Sequence, residues 1–304
     1  MTVLRSSISW CTGTLNLTVG CTRVSAACDN CYANDLVHRL MGGGFFESLD
    51  FYPKRLADLR KFAPSRNAAG EVEPKMVFVN SLSDFWHEKI PESFIHQALD
   101  AFEQHPRTII QILTKRPGPM RRLIVARYGN TGIPANIWLG ITCEDNRVRR
   151  GLDLLRDVKA RVGDFTAFTS IEPITAPCDQ IDLTGIDWVL TGGESGPKAR
   201  PMQFEWLEQI NEKALSLGIP LHFKQYGHPR NNPAVQNLMT RMPHIWTSPT
   251  KAFKTLVDTG QELAPHEKGG ATYKDRVYHE KPAHWHRLKA ELNRNNRPAM
   301  ELLR

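Results

Sequence analysis

From residue 76 onward, short apolar runs rich in β-branched residues alternate with segments of helical period. Met76-Val77-Phe78-Val79-Asn80 predicts a strand. After Pro91, the residues Phe94, Ile95, Ala98, Leu99 and Phe102 recur at three- and four-residue spacing, which predicts a helix opening there. The alternation then repeats. A strand at Thr108 to Leu113 precedes a helix from about Pro117 to Arg127, and a strand at Ile137 to Thr142 precedes a helix near Asn146 to Val158. Phe165 to Ile171 and Trp188 to Thr191 are further strands; a helix from about Phe204 to Leu217 follows, and Ile219 to Phe223 closes the series. The apolar stretch Leu15 to Val19 adds a strand at the front, followed by a helix from about Tyr32 to Met41. About six or seven βα units of this kind specify an α/β fold with a parallel sheet, closing as a full or partial barrel. In such barrels the loops after the strands line one mouth, where reactive groups collect.

Two stretches fall outside this rhythm and read as loops: Gly42-Gly43-Gly44 and the segment from Ala63 to Pro74. Past Gln225-Tyr226-Gly227 the chain is rich in Pro, Asn and His up to about Pro249. Helix-compatible segments follow at Ala252 to Leu256 and from about Ala283 to Glu291. This divides the chain into an α/β unit over residues 1–227 and an appended extension over 228–304. The unequal lengths of the units argue against a solenoid repeat.

At 304 residues and 41% hydrophobic content the chain can bury a large core without staples. No run approaches the roughly 18 apolar residues of a membrane span, and the expectation is a protein of the cytoplasm. The net charge of +7 is uneven: residues 226–304 hold 13 Lys and Arg against 7 Asp and Glu, while residues 1–225 hold 26 against 25. A basic flank of this kind meets phosphate or is simply solvated. Interleaved with its cations stand Tyr226, Trp246, Tyr273, Tyr278 and Trp285, which offer either stacking faces for a nucleic acid or anchors onto the barrel. His279, His284 and His286 lack regular metal-ligand spacing and read as part of an exposed polar helix.

Half of the six cysteines lie in one loop, Cys21, Cys28 and Cys31, directly after the first predicted strand. Three thiolates converging from a loop can hold three corners of an iron–sulfur cluster and leave one iron open to a substrate. Structural zinc, with Cys11 or His38 as fourth ligand, also suits the CxxC spacing of Cys28 and Cys31. A single CxxC hook and a position at the barrel mouth favour the cluster. Cys143 and Cys178 read as buried small hydrophobes.

The loop with its following Tyr32-Ala33, Asn80-Ser81-Leu82-Ser83-Asp84, Leu113-Thr114-Lys115-Arg116-Pro117, Gly140-Ile141-Thr142-Cys143-Glu144, Ser170-Ile171-Glu172-Pro173 and Thr191-Gly192-Gly193-Glu194-Ser195-Gly196 form an ordered set. Over roughly residues 8 to 227 that set resembles the radical-SAM-like three-cysteine-motif family of phages and bacteria, long filed as a domain of unknown function. The resemblance implies a radical SAM-type barrel with a [4Fe-4S] cluster on Cys21, Cys28 and Cys31. It also implies S-adenosylmethionine as cosubstrate, cleaved to a 5′-deoxyadenosyl radical. The spacing here is CxxxxxxCxxC with Tyr32 after the third cysteine, whereas the usual radical SAM loop is CxxxCxxC with an aromatic residue before it.

By the same resemblance Asn80, Ser81, Ser83 and Asp84 meet the methionine amino group, Lys115 or Arg116 the carboxylate, and Thr142 or Glu144 the ribose hydroxyls. Serine and aspartate after a strand also cap the next helix. Glu172 and Glu194 end barrel strands and either face the substrate or form buried ion pairs. The glycines from Gly192 to Gly196 would let backbone approach adenine or phosphate closely. The expected activity is modification or repair of a nucleic-acid base, DNA above all, with electrons from a flavodoxin- or ferredoxin-type reductant and, for a phage-encoded chain, in the host cytoplasm. Its rivals are a zinc-stabilised nucleic-acid-binding protein without catalysis and a radical SAM enzyme acting on a peptide.

Overall fold

The computed structural model describes residues 2–196, 198–245, 247–259, 271–273 and 276–294. Trp246 lies outside them. One sheet of eight strands organises the chain: β1 (Thr2–Val3), β2 (Gly13–Leu15), β3 (Lys75–Val79), β4 (Thr108–Thr114), β5 (Ile137–Thr142), β6 (Ala167–Ile171), β7 (Trp188–Thr191) and β8 (Leu221–Phe223). Their spatial order follows the chain, with β1 antiparallel to β2 and every later pair parallel. The sheet is open rather than a closed barrel, since no pairing joins its two ends among the described residues. Helices α1 (Tyr32–Met41), α2 (Glu92–Glu103), α3 (Pro117–Tyr128), α4 (Arg150–Val162) and α5 (Phe204–Ser216) lie between successive strands.

Alternation along each strand divides two cores. Val77, Val79, Ile110, Ile112, Leu139, Ile141, Val189 and Phe223 point to the helices and pack with Ile95, Leu99, Leu123, Leu155 and Leu207. Met76, Phe78, Ile109, Trp138, Phe168, Trp188 and Leu190 point to the opposite face. A two-residue period sets this division. The rings of Trp10, Phe78, Phe168 and Trp188 meet in the middle of that second core, with Trp10 4.6 Å from Phe78.

The extension supplies α6 (Pro233–Arg241), α7 (Pro249–Asp258) and α8 (Ala283–Arg294). Leu288 and Leu292 of α8 pack into the second core. Before α8 the chain runs along β8: Phe223 N–H donates to the Tyr278 carbonyl at 2.9 Å, and Glu280 N–H to the Leu221 carbonyl at 3.1 Å. His284 accepts a 2.8 Å bond from the Trp138 indole, so α8 is exposed on one side only. Tyr226, Tyr273 and Tyr278 are buried anchors, not free stacking faces.

The first predicted strand, Leu15 to Val19, is divided. Gly13–Leu15 joins the main sheet, while Thr18–Val19 pairs with Asp50–Phe51 in a separate ribbon. The break is at Asn16, whose side-chain oxygen accepts from the N–H groups of Ser81 and Leu82 at 2.7 and 2.9 Å. An Asx side chain that binds backbone in this way competes with the strand ladder.

Candidate functional site at the strand ends

The cysteine loop leaves Thr18–Val19 and crosses the edge where the parallel strands end. Three attachments hold it. Thr22 accepts from Arg116 Nη2 through its hydroxyl at 2.6 Å and its carbonyl at 3.1 Å, and its hydroxyl also lies 3.0 Å from His87 Nε2. Asn30 donates to Glu194 Oε2 at 3.0 Å and to the Lys198 carbonyl at 3.1 Å. The Tyr32 hydroxyl donates to the Ser81 carbonyl at 2.8 Å.

All three loop cysteines are free thiols, with Cys28 buried and the other two half-buried. Lys115 has Cys28 and Cys31 among its charge partners, and Arg116 has Cys21. Burial and Asp84 push the Cys21 thiol up; Arg116 pulls it back, and the balance lies above the ordinary value. A cation beside a thiol stabilises the thiolate, the form that ligates metal. Three thiols on one loop are the donor type that an iron–sulfur group takes. Among the described residues no three His, Cys, Asp or Glu side chains already form a metal cage, so the loop is not a preformed site. Cys11 stands apart, its thiol bonded to the Ile8 carbonyl and pushed by burial to about 12.

The residues after β3 build a turn. Asn80 accepts from Leu17 N–H at 2.7 Å and donates to Thr18 Oγ1 at 2.9 Å; Ser83 Oγ bonds Thr18 Oγ1, and Ser81 Oγ donates to Asn16 at 3.1 Å. Asp84 accepts from the Thr114 hydroxyl at 2.7 Å, Lys115 N–H at 2.9 Å and Trp86 N–H at 3.0 Å. Asp84 thus fixes where Lys115 and Arg116 leave β4, while Asn80, Ser81 and Ser83 hold the turn to residues 16–18. Arg116 in turn donates twice to Glu88, at 2.5 and 2.7 Å.

Beside the loop lies a cavity of about 180 Å³ lined by Val24, Ser25, Lys115, Thr142, Glu144 and Val148. Glu144 is 2% exposed, and its Oε1 and the Ser25 hydroxyl have no hydrogen-bond partner among the described residues. Burial lowers the pKa of Lys115, but Glu144, Cys28, Cys31 and Asp84 outweigh it and leave the ammonium above its ordinary value. Unpaired buried acceptors next to a cation suit a ligand that brings hydroxyl donors and a carboxylate.

Glu172 and Glu194 both sit in ion pairs. Glu172 bonds Lys224 Nζ and Gln225 Nε2; Lys224 also reaches Ser170 Oγ at 3.1 Å and stands 5.2 Å above the Trp10 ring. Glu194 is 3% exposed and receives Arg200 Nη2 at 2.5 Å, Nε at 2.9 Å and N–H at 2.8 Å. Burial raises its pKa, yet Arg200 and Asn30 hold the carboxyl below the usual range. The glycines nearby serve this packing. A Cβ on Gly193 would come within 2.1 Å of the Tyr226 carbonyl oxygen.

Sequence reasoning missed Lys224, Arg200, Asn30 and Thr22. Lys224 had a weak signal, since it directly follows β8 on the face shared with His222. Arg200 had none, because its partner lies across a loop of irregular backbone.

The family model described as "Protein of unknown function (DUF5131)" matches residues 5–282. No curated protein matches the chain. Among solved structures, a spore photoproduct lyase complexed with dinucleoside spore photoproduct is 14% identical at a TM-score of 0.44, covering 68% of this chain and 62% of that one. A spore photoproduct lyase double mutant with bound AdoMet and dinucleoside spore photoproduct is 15% identical at a TM-score of 0.41, covering 60% and 56%. The chain spans about three fifths of the length of the structures it matches.

Proposed function

The chain belongs to the DUF5131 family, and from its own residues we propose that it is a radical S-adenosylmethionine enzyme acting on a nucleic acid, with DNA the favoured substrate. One observation carries this reading: three free thiols, Cys21, Cys28 and Cys31, on a single loop over the ends of a parallel sheet, flanked by Lys115 and Arg116. Cys21, Cys28 and Cys31 would hold a [4Fe-4S] cluster with one iron open. Together cluster and S-adenosylmethionine supply one-electron cleavage of a sulfonium and abstraction of a hydrogen atom from a substrate C–H bond.

The protein's part is to bind, orient and keep out water. Lys115 offers its ammonium to a carboxylate at the mouth of the cavity. Glu144, with its free carboxylate oxygen, and Thr142 accept from ribose hydroxyls. Asn80, Ser81, Ser83 and Asp84 form the turn that aims Lys115, and so act through position. Glu172, held by Lys224 and Gln225, gives the substrate side a fixed acceptor; Glu194 clamps the cysteine loop through Asn30. The basic excess of residues 226–304 supports the choice of a polyanionic substrate.

Anaerobic reconstitution with iron and sulfide tests the reading. The wild-type chain should gain iron and a visible absorption shoulder, and with a reductant should release 5′-deoxyadenosine from S-adenosylmethionine. Cys28→Ala should lose all three, and Cys11→Ala should keep them. A preparation that retains zinc and takes up no iron sinks the proposal.

A further inference from the structure

The loops after β5, β7 and β8 gather cations at the same sheet edge as the cysteine loop. Arg147 pairs with Asp145, while Arg200 holds Glu194 and lies 3.8 Å from Asp29. Arg230 donates to the Ala199 carbonyl at 3.3 Å, and Asn30 to the Lys198 carbonyl at 3.1 Å. These bonds tie the loops after β7 and β8 to the cysteine loop. Arg147 and Arg200 are close enough for their like charges to oppose each other. With those acids engaged, Arg149, Arg150, Lys198 and Arg230 have no carboxylate within ion-pair distance among the described residues.

Helix α4 adds an independent sign. Arg149 is its N-cap and Arg150 its first residue, and the acid of its first turn, Asp153, is paired with Arg156. The N-terminal end of a helix carries partial positive charge and favours anions there. Two arginines at that end oppose the helix dipole, and a phosphate would relieve both. Within the extension, Lys289 is paired with Glu71 and Glu73, and Arg276 with Glu280.

We infer that Arg149, Arg150, Lys198 and Arg230 form a rim that binds the phosphate backbone of a nucleic acid and lays it across the mouth beside the cysteine loop. This rests on the nucleic-acid reading above and centres the contact surface on the strand-end loops, with Arg230 of the extension completing it.

The test is binding of a fluorescent duplex DNA to the full chain across a salt series, beside 5′-deoxyadenosine release in the absence of DNA. For duplex DNA each lost phosphate contact lowers the slope of log K against log salt by about 0.9. The variant R149Q/R150Q/K198Q/R230Q should lose about 3 to 4 of slope and at least tenfold in affinity at moderate salt. The charge-preserving R149K/R150K/K198R/R230K should recover most of both, which separates charge loss from misfolding. Lys251→Gln with Lys254→Gln, on α7, should change neither. An unchanged slope in the quadruple variant, loss caused by the α7 pair instead, or a wild-type chain with no salt-dependent affinity overturns the inference. Those outcomes leave cofactor cleavage standing, whereas intact DNA binding without cleavage counts against the radical reading alone.

Discussion

Asn30, between the second and third loop cysteines, donates its amide to Glu194 at 3.0 Å and so joins the cysteine loop to the end of β7. The same carboxylate takes three bonds from Arg200. Removing it leaves several donors without a partner, which costs about 1–3 kcal/mol in a partly buried setting. Glu194→Ala should therefore lower stability in urea by that amount. Asn30→Ala should cost about 0.5–1.5 kcal/mol and speed hydrogen exchange in residues 22–31 while leaving β5 protected. Equal exchange in variant and wild type would remove Asn30 as an anchor.

Glu194 also sets an acid limit. Its folded-state pKa lies below the ordinary carboxylate value because Arg200 and Asn30 favour the charged form over the opposing effect of burial. A group of this kind contributes stability that is complete above the unfolded pKa and is lost as pH falls through the folded one. The stability gap between wild type and Glu194→Gln should be constant from neutral pH down to about 5 and narrow below that. Denaturant titrations at a series of pH values read it directly. A gap that widens on acidification would contradict the ion pair.

The Lys224–Glu172 pair should behave non-additively. Lys224 is 7% exposed and its ammonium is shared among Glu172, Ser170 and the Trp10 face. Removing one member of a buried pair strands the other charge, whereas removing both does not. Glu172 is 23% exposed, so Lys224→Met should destabilise by about 1–3 kcal/mol, and the double variant with Glu172→Gln should recover a good part of that. The coupling energy from a double-mutant cycle is the measurement. A coupling near zero would make Glu172 independent of Lys224.

Most strands from β3 onward were legible because they are short apolar runs, mostly β-branched and separated, except between β6 and β7, by helical periods. Ile137–Thr142 and Trp188–Thr191 match the expected bounds, and Tyr32–Met41 matches as a helix. Leu15 to Val19 misled because apolar alternation says nothing of Asn16, whose side chain diverts the backbone. The cysteine loop was legible from its composition, but its anchors were not. Asn30 and Glu194 are 164 residues apart, and only the fold makes them neighbours. The inner face of α8 was hidden for a similar reason. Two leucines among charged and polar residues describe an exposed helix until a sheet with aromatic residues on one face is available to receive them.

That inner face yields a stability prediction. Leu288 is 7% exposed and packs in the core shared by Trp10, Trp138 and Trp188. Asn293 closes the far end of α8 by accepting from Val72 N–H at 2.8 Å and donating to its carbonyl at 2.9 Å. Leu288→Ala should cost about 2–5 kcal/mol and alter the tryptophan fluorescence of the folded state. Asn293→Ala, which strands two backbone groups, should cost about 1–3 kcal/mol. If both variants melt like the wild type, the extension does not help to hold the sheet.

The loops after β7 and β8 meet through two glycines. Gly227 has φ of +83°, and a Cβ there would stand 2.0 Å from the Glu194 carbonyl oxygen. Gly193 meets the same pair of loops from the other side, with its Cβ position 2.1 Å from the Tyr226 carbonyl oxygen. An L-residue in the left-handed region costs about 1–2 kcal/mol, and a backbone clash that forces a shift adds about 1–3 kcal/mol. Gly227→Ala should carry both penalties and Gly193→Ala only the second. Because the displaced atoms include the backbone of Glu194, both should also loosen the cysteine loop and speed exchange at Asn30. Gly43→Ala is the control, since nothing lies within 4 Å of its Cβ position, and it should stay within about 0.5 kcal/mol of wild type. Ranking the three by urea midpoint decides the matter. Gly193→Ala as harmless as Gly43→Ala would show that the two loops can separate without loss, and the path from β7 to the thiols would then not run through Glu194.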